Sequence, residues 1–176
     1  MERLEILLDC DGVLADFHKG AYSAHGQEWD NPKVWDFWHD WPMSDTKFWN
    51  KLRGRDFWAN LEPYEWTLDL FHALKALGRV TVCTAPCDDN CCASGKHDWL
   101  DKNLGIRPKD CMIGKEKYLL AGPSKLLIDD SFTNCKKFVE HGGQAILFPQ
   151  PWNDSTLSGW RDVVKMVEVI THFNLD

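Results

Sequence analysis

Short apolar runs alternate with amphipathic segments along most of the chain, and this alternation predicts an α/β fold. The first run, from Leu4 to Leu8, is followed at once by an aspartate, as is typical of a buried strand. Apolar residues at helical spacing before Gly78 predict a helix over 65–77. Further strands are predicted over 79–83, 111–113, 126–128 and 145–148. Further helices are predicted over 94–104, 133–140 and 163–173, and Ser94 is the predicted N-cap of the first of these. Short strands that alternate with helices form a parallel sheet with helices on both faces.

The region that follows the first strand interrupts this regular pattern. Pro32, Pro42 and Gly54 break any long helical or strand period there. Seven of the ten tryptophans of the chain lie in the stretch from Trp29 to Trp66. The sequence therefore predicts an irregular, aromatic-rich segment between the first strand and the rest of the α/β pattern.

Carboxylates gather where two of the predicted strands end. Asp9 and Asp11 follow the first strand, and residues i and i+2 of a strand point to the same face, so both carboxylates can converge before the chain turns away at Gly12. Asp9 and Asp11 alone would indicate only an acidic turn. Asp129 and Asp130, however, follow a later strand, and parallel sheets bind ligands beyond the carboxyl ends of their strands. Four carboxylates at one edge repel one another unless a divalent cation lies among them, and oxygen ligands suit Mg²⁺.

Hydroxyl and basic side chains near the same strand ends point to a phosphate ligand. Thr84 ends the second strand, where its hydroxyl and the following backbone N–H groups could hold a phosphoryl oxygen. Lys96 follows it, and Lys115 and Lys117 precede the second aspartate pair; a lysine there would neutralise phosphate charge and keep a nucleophilic carboxylate ionised. Each residue alone is more often a strand residue or a solvated lysine, but the combination indicates a phosphate site.

Composition and charge narrow the class of partner. The length of 176 residues corresponds to one domain, and the net charge of −7 disfavours duplex nucleic acid while leaving a small phosphorylated ligand open. No apolar run approaches the ~18 residues of a membrane span. The charged start, Met1 to Glu5, is unlike a signal peptide, and the odd count of seven cysteines favours reduced thiols. We therefore expect a cytoplasmic protein without membrane contact.

Four cysteines are crowded after the second strand, namely Cys83, Cys87, Cys91 and Cys92. Zinc binding by this group, with Cys111 as a further ligand, is one interpretation, although the spacing fits none of the common zinc patterns. Free thiols are the other interpretation, and the spacing favours them.

In motif order and spacing the chain resembles the haloacid-dehalogenase-like (HAD) phosphatases. The motifs are D-C-D-G-V-L-A-D-F at 9–17, C-T-A-P at 83–86, Lys117, and L-I-D-D at 127–130. Within that superfamily the chain is most similar to the 5′(3′)-deoxyribonucleotidases, whose pattern also includes the F-W-A-N-L-E-P element at 57–63, and the likeness extends over roughly residues 4 to 150. The resemblance implies a Rossmann-like HAD fold and a Mg²⁺-dependent phosphomonoesterase that hydrolyses nucleoside monophosphates, with deoxypyrimidine substrates favoured.

The resemblance also implies a role for each motif residue. Asp9 would be the nucleophile that forms an aspartyl-phosphate, and Asp11 would protonate the leaving alcohol and then deprotonate the hydrolytic water. The implied Mg²⁺ site uses the Asp9 carboxylate, the backbone carbonyl of Asp11 and the aspartate pair, in which the resemblance favours Asp130 as the direct ligand and leaves Asp129 as the alternative. The implied phosphate-binding residues are Thr84, Ala85, Lys96 and Lys117, with Lys115 as the alternative to Lys117.

The aromatic-rich segment occupies the position of the family's small helical cap. The implied division is an α/β core of residues 1–15 and 65–176 and a cap of residues 16–64. Phe17, Trp49 and Trp58 fall where the family's base-pocket residues lie, and a base stacked on an aromatic ring gains ~1–3 kcal/mol. Most of the other aromatic residues would form the core of the cap. A homodimer is compatible with the resemblance, but the sequence does not determine the oligomeric state.

Departures from the family pattern bear on the substrate. Ala85 stands where the family usually has Ser, and Ser131 stands where Arg is common. A HAD phosphatase of another small phosphate ester, or of nucleic-acid ends, is therefore an alternative. A phospho-acceptor receiver domain is disfavoured because its acidic pair comes first in the chain, and a non-catalytic nucleotide-binding module is disfavoured because Asp9 and Asp11 are both present.

Overall fold

The computed structural model describes residues 4–173, which contain a parallel five-stranded sheet. The strands are β1 (Glu5–Leu8), β2 (Arg79–Thr84), β3 (Cys111–Ile113), β4 (Lys125–Asp129) and β5 (Gln144–Leu147). Their order is β3-β2-β1-β4-β5, and the predicted strand ends are correct to within one residue. The expectation that the chain has no signal peptide is based on its charged start, and Met1 to Arg3 of that start lie outside the described residues. The side chain of Phe173 is also outside the description.

Seven α-helices accompany the strands within residues 4–173. They are α1 (Phe17–His25), α2 (Asp45–Lys51), α3 (Arg55–Ala59), α4 (Thr67–Leu77), α5 (Cys92–Leu104), α6 (Phe132–Glu140) and α7 (Trp160–Phe173). Three 3₁₀ turns cover Phe37–Asp40, Pro108–Asp110 and Lys117–Leu120. None of the helices in the described part of the chain is long and apolar enough to cross a membrane.

The predicted N-cap of α5, Ser94, is wrong by three residues, because the N-cap is Cys91. The helix begins at Cys92, and Ser94, the predicted N-cap, lies inside its first turn, where Oγ donates a hydrogen bond to the carbonyl of Cys91. The reason is local, because the N–H of Cys92 already bonds the carbonyl of Asp89 and the preceding turn continues directly into the helix.

Alternate residues of β1 are buried on opposite faces of the sheet. Ile6 and Leu8 belong to the larger apolar cluster, which also includes residues of α4 and α7. Leu7 belongs to a second cluster with Leu127 of β4 and Phe138 of α6. Helices therefore cover both faces of the sheet, as the sequence pattern predicts.

The segment between β1 and α4 folds into the three short helices α1, α2 and α3, packed around aromatic rings. Trp38 and Phe48, for example, stack with ring centroids 4.3 Å apart. α3 packs closely on α5 at Gly95, where a Cβ atom would lie 2.7 Å from the Cβ of Trp58, so only glycine permits this approach. The aromatic-rich helical segment is thus present, and its separation from the core as a cap of residues 16–64 stays a prediction.

Candidate active site

The carboxylates predicted to share a sheet edge converge there. β1 and β4 are adjacent, with Leu8 opposite Ile128, so the residues after both strands emerge side by side. The N–H of Asp9 continues this pairing by donating to the carbonyl of Ile128 over 2.9 Å. One carboxylate oxygen from each of Asp9, Asp129 and Asp130 lies within 4.8 Å of the other two.

Gly12 allows the loop after β1 to pass close to this cluster. Its φ of +78° lies in the left-handed region. A Cβ atom at this position would lie 2.8 Å from Cγ of Asp130 and 3.2 Å from Cζ2 of Trp152. Any other residue would therefore meet both backbone strain and a clash with the second aspartate pair.

Lys117 lies between two carboxylates of the cluster. Its Nζ is 2.6 Å from Oδ1 of Asp9 and 2.6 Å from Oδ2 of Asp129, and the side chain is buried. Burial alone would lower the pKa of Lys117, but Asp9 and Asp129 raise it above its ordinary value, so the ammonium group stays charged. Lys115 is exposed. The structure therefore brings Lys117, rather than Lys115, to the carboxylates.

A second buried lysine binds Asp11. Lys96 Nζ donates to Oδ2 of Asp11 and, over 2.9 Å, to Oγ1 of Thr84. Burial opposes the charge on Lys96, but Asp11 raises the pKa of Lys96 above its ordinary value. The other oxygen of Asp11, Oδ1, is buried without a hydrogen-bond partner. One oxygen of Asp11 is thus fixed by Lys96, and the other has no partner among the described residues.

The two aspartates after β4 have different partners. Asp129 accepts hydrogen bonds from Lys117 and from the side-chain amide of Asn134, which lies 3.2 and 3.1 Å from its two oxygens. Asp130 accepts through Oδ2 from the indole Nε1 of Trp152 over 2.7 Å. Asp130 therefore has the greater capacity for a further ligand.

The cluster carries more negative charge than its lysines neutralise, because four carboxylates face two buried ammonium groups. Burial, followed by the charge of Asp129, raises the pKa of Asp9 to about 7. Burial and the charge of Asp9 likewise raise the pKa of Asp130 above its ordinary value. A divalent cation would remove this excess of charge, and carboxylate oxygens are ligands that Mg²⁺ prefers. The residues present therefore fit a Mg²⁺ ion.

A cavity of about 620 Å³ opens over the carboxyl end of the sheet. The predicted site residues that line it are Asp9, Asp11, Ala85, Lys117 and Asp130. The predicted residues outside its lining are Thr84, Lys96, Asp129, Phe17, Trp49 and Trp58. Its wall also includes Trp35 from the aromatic-rich segment and Trp152 from the loop after β5. The cavity thus combines a charged floor with indole surfaces.

The three aromatic residues predicted for a base pocket form one stack. The ring of Phe17 lies 5.8 Å from that of Trp58 and 6.0 Å from that of Trp49, at interplanar angles of 11° and 22°. Phe17 and Trp58 are only 1% and 2% exposed. Trp35, which is 38% exposed, stacks on Phe17 at 5.5 Å and reaches the cavity. The base-pocket assignment of Phe17, Trp49 and Trp58 stays a prediction.

The cysteines do not form a zinc-like cluster. Among residues 4–173, three or more candidate metal ligands lie close together only in the cluster of Asp9, Asp129 and Asp130, which contains no cysteine. The N–H of Cys87 donates to Sγ of Cys92 over 3.2 Å, and Sγ of Cys111 lies 3.3 Å from Nδ1 of His97. All seven cysteines are free thiols.

Sequence reasoning missed three residues of the site, namely Trp35, Asn134 and Trp152. Asn134 follows Ser131, the N-cap of α6, by three residues, and its place in the first turn after the aspartate pair is a signal that could have found it. Trp152 contacts an aspartate 22 residues away through an irregular loop, and no local pattern signals such a contact. Trp35 is one of many tryptophans in its segment, and composition does not distinguish it.

Solved structures with this fold are HAD-type proteins. YfnB from Bacillus subtilis, described as a HAD hydrolase bound to magnesium, has a TM-score of 0.63 and 12% identity over 95% of this chain and 99% of its own. A HAD-like hydrolase from Xanthomonas campestris has a TM-score of 0.63 and 10% identity over 98% and 94%. A HAD family enzyme from Bacteroides thetaiotaomicron, in complex with magnesium and inorganic phosphate, has a TM-score of 0.51 and 15% identity over 88% and 98%. The fold is that of the HAD hydrolases.

Residues 3–173 match the family model described as 5′ nucleotidase, deoxy (Pyrimidine), cytosolic type C protein. Because the match covers nearly the whole chain, the protein belongs to this family. A comparison with curated proteins finds no match. The resemblance in the sequence motifs is therefore confirmed at the level of the family and the fold.

Proposed function

We propose that the protein is a cytoplasmic, Mg²⁺-dependent phosphomonoesterase that hydrolyses nucleoside monophosphates, with deoxypyrimidine monophosphates preferred. The observation that carries this proposal is the cluster of Asp9, Lys117 and Asp130 at the floor of the cavity, with the unpaired Oδ1 of Asp11 beside it. Membership of the nucleotidase family supports the substrate class.

In the proposed mechanism each buried charged group has a defined role. Asp9 attacks phosphorus, and the new bond from its carboxylate oxygen replaces the ester bond of the substrate. Lys117 neutralises charge on the phosphoryl oxygens and keeps Asp9 ionised. Asp11 donates a proton to the leaving alcohol oxygen and later accepts one from the water that hydrolyses the aspartyl-phosphate. Lys96 holds Oδ2 of Asp11, so that Oδ1 exchanges the proton.

The carboxylates of Asp9 and Asp130 and the backbone carbonyl of Asp11 would hold the Mg²⁺ ion. When bound, the ion supplies Lewis-acid stabilisation of the negative charge that develops on the phosphoryl oxygens. Asp129 remains bonded to Lys117 and Asn134 and would support the site from behind.

Removal of divalent cations is expected to abolish phosphate release. The physical reason is that the excess negative charge at Asp9, Asp11, Asp129 and Asp130 repels a phosphate dianion unless a cation offsets it. The measurement is phosphate release from a deoxypyrimidine monophosphate in excess chelator, then after addition of Mg²⁺ beyond the chelator, with Mg²⁺-saturated chelator as the control. Full activity in excess chelator would contradict the proposal.

The substrate class is tested by a panel of phosphate esters. Deoxy- and ribonucleoside monophosphates, sugar phosphates and a 5′-phosphorylated oligonucleotide are compared by kcat/KM at saturating Mg²⁺. We expect the deoxypyrimidine monophosphates to rank first. A preference for a sugar phosphate over every nucleotide would reject the nucleotidase assignment and leave a phosphatase of another small ester.

The aromatic segment gives the cavity a flat apolar surface that a nucleobase can contact. We infer that Trp35 offers this surface, because it lines the cavity and is held by its stack on Phe17. Trp49 and Trp58 lie on the same Phe17 ring and would fix its position. Selection of the base would then occur in the aromatic segment, and the chemical step at the sheet edge.

Trp35→Ala is expected to raise KM for a nucleotide far more than KM for p-nitrophenyl phosphate, which has no base. Loss of one stacking surface costs ~1–3 kcal/mol, roughly five- to 150-fold in kcat/KM. The matched control is Trp29→Ala, which truncates another exposed tryptophan of the same segment outside the cavity. Equal losses on both substrates would reject a base contact at Trp35.

Trp58→Ala tests the base pocket predicted from the sequence in the same assay. A rise in KM for the nucleotide alone would support a base contact at Trp58. Since this side chain is 2% exposed and stacked on Phe17, an equal loss on both substrates together with a lower Tm would assign it to the core of the aromatic segment instead.

A further inference from the structure

A tryptophan in the loop after β5 is bonded directly to the candidate metal ligand Asp130. The indole Nε1 of Trp152 donates to Oδ2 of Asp130 over 2.7 Å. Oδ2 is the same atom that approaches Gly12, so the carboxylate of Asp130 lies between the loop after β1 and the indole ring. The rotation of this carboxylate is therefore set by a hydrogen bond from outside the HAD motifs.

The loop that carries Trp152 is itself fixed to both aspartate-bearing loops. The side-chain amide of Gln150 donates to the carbonyl of Gly12. The side-chain amide of Asn153 donates to the carbonyl of Asp130 over 2.8 Å and to that of Phe148 over 2.8 Å. Residues 150–153 thus cross the carboxyl ends of β1, β4 and β5 and connect the loops that follow these strands.

One face of the Trp152 ring packs against the aromatic segment. The imidazole of His18 in α1 stacks on it, with centroids 3.9 Å apart and planes at 15°. His18 is fully buried, and burial lowers its pKa to about 3, so the ring that packs against the indole is neutral. Trp35 meets the same indole edge-on at 6.0 Å. Trp152 therefore has little freedom to rotate away from Asp130.

We propose that Trp152 is a positioning residue that orients the Asp130 carboxylate for Mg²⁺ and links the metal site to the aromatic segment. The proposal rests on the proposed function, because it concerns the same metal. Partners that orient the ligands of a metal typically change metal affinity by 10–100-fold when removed. The hydrogen bond holds Oδ2, so Oδ1 of Asp130 is left to face the cation, and loss of the N–H would free the carboxylate to rotate.

The test compares Mg²⁺ binding by the purified protein and its variants in calorimetry, without substrate. Trp152→Phe keeps a flat ring for the His18 stack but removes the N–H donor together with part of the indole surface, and its Mg²⁺ dissociation constant is expected to rise by roughly 10–100-fold. Trp152→His, whose ring Nε2 occupies the place of the indole Nε1, is expected to recover part of that loss. In turnover assays the Trp152→Phe deficit in kcat is expected to disappear as Mg²⁺ approaches saturation.

The matched control is Trp38→Phe, because Trp38 is a buried tryptophan that also donates an indole hydrogen bond to a carboxylate, that of the exposed Asp45, and neither residue lines the cavity. It is expected to bind Mg²⁺ as the wild type does. All titrations are made below the unfolding transition of each variant, so that a lower Tm does not imitate weaker binding.

The outcomes separate this inference from the proposed function. A wild type that binds Mg²⁺ and hydrolyses nucleotides, together with unchanged Mg²⁺ affinity in Trp152→Phe, would overturn the positioning role and leave the function intact. Equal weakening in Trp152→Phe and Trp38→Phe would also overturn it, because the effect would then be one of general stability. A wild type that binds no Mg²⁺ would overturn both.

Discussion

Asp9→Asn is expected to leave a folded protein whose phosphate release is reduced by on the order of 10⁴-fold or more. The amide is a poor nucleophile, so the aspartyl-phosphate cannot form, and it is also a weaker ligand for a divalent cation. The measurement is phosphate release under saturating Mg²⁺, together with a phosphoenzyme trap by rapid acid quench, in which the wild type gives a labelled protein and the variant none.

The fold of this variant is expected to survive because Asp9 is not a stabilising charge in the metal-free protein. Burial and Asp129 raise its pKa from 3.8 to about 7, so its ionisation costs folding free energy that accumulates as pH rises from about 4 to about 7 and stays constant above that. Metal-free Asp9→Asn should therefore unfold at a Tm no lower than the wild type at pH 8. Asp154→Asn, which changes another carboxylate of the same cavity, is the control and should remain active. Turnover that persists in Asp9→Asn would overturn the mechanism.

The parts of the fold that could be predicted from the sequence are those set by local periodicity. Each strand is a short apolar run, and the two faces of β1 follow from alternate residues, so both the strands and the helices on either face could be read from the pattern. The convergence of Asp9 with Asp130 was also predictable, since the ends of adjacent parallel strands must meet. The prediction of Ser94 as the N-cap was wrong because the helix already begins at Cys92, whose N–H donates to the carbonyl of Asp89 in the preceding turn.

The parts that could not be predicted depend on side chains distant in sequence. The pairing of Lys96 with Asp11 crosses 85 residues, and it places that lysine behind Asp11 rather than at the cavity surface. Composition predicts that tryptophans cluster, but not that Trp35 rather than Trp58 reaches the cavity. Such distinctions depend on the path of irregular loops, for which a single sequence carries no periodic signal.

Asp11→Asn is expected to slow nucleotide hydrolysis by ~10²–10⁴-fold while leaving Asp9 able to attack. The nucleoside alkoxide is a poor leaving group without a proton, and the amide has none to donate. The amide has nearly the shape of the carboxylate and its oxygen can still accept from Lys96, but the charge of buried Lys96 loses its partner, so the folded state of the variant is checked by its Tm. The measurement is kcat for a deoxypyrimidine monophosphate, again with Asp154→Asn as the control.

A substrate with a good leaving group separates the two tasks assigned to Asp11. p-Nitrophenolate leaves without protonation, so the first step of p-nitrophenyl phosphate hydrolysis should stay fast in Asp11→Asn, whereas deprotonation of the hydrolytic water should stay slow. The expected result is a burst of about one p-nitrophenol per active site followed by a slow steady state, with phosphoenzyme accumulating on Asp9. Equal slowing of both substrates without a burst would show that Asp11 acts before the phosphoryl group is transferred, on metal binding or orientation, and would remove it from proton transfer.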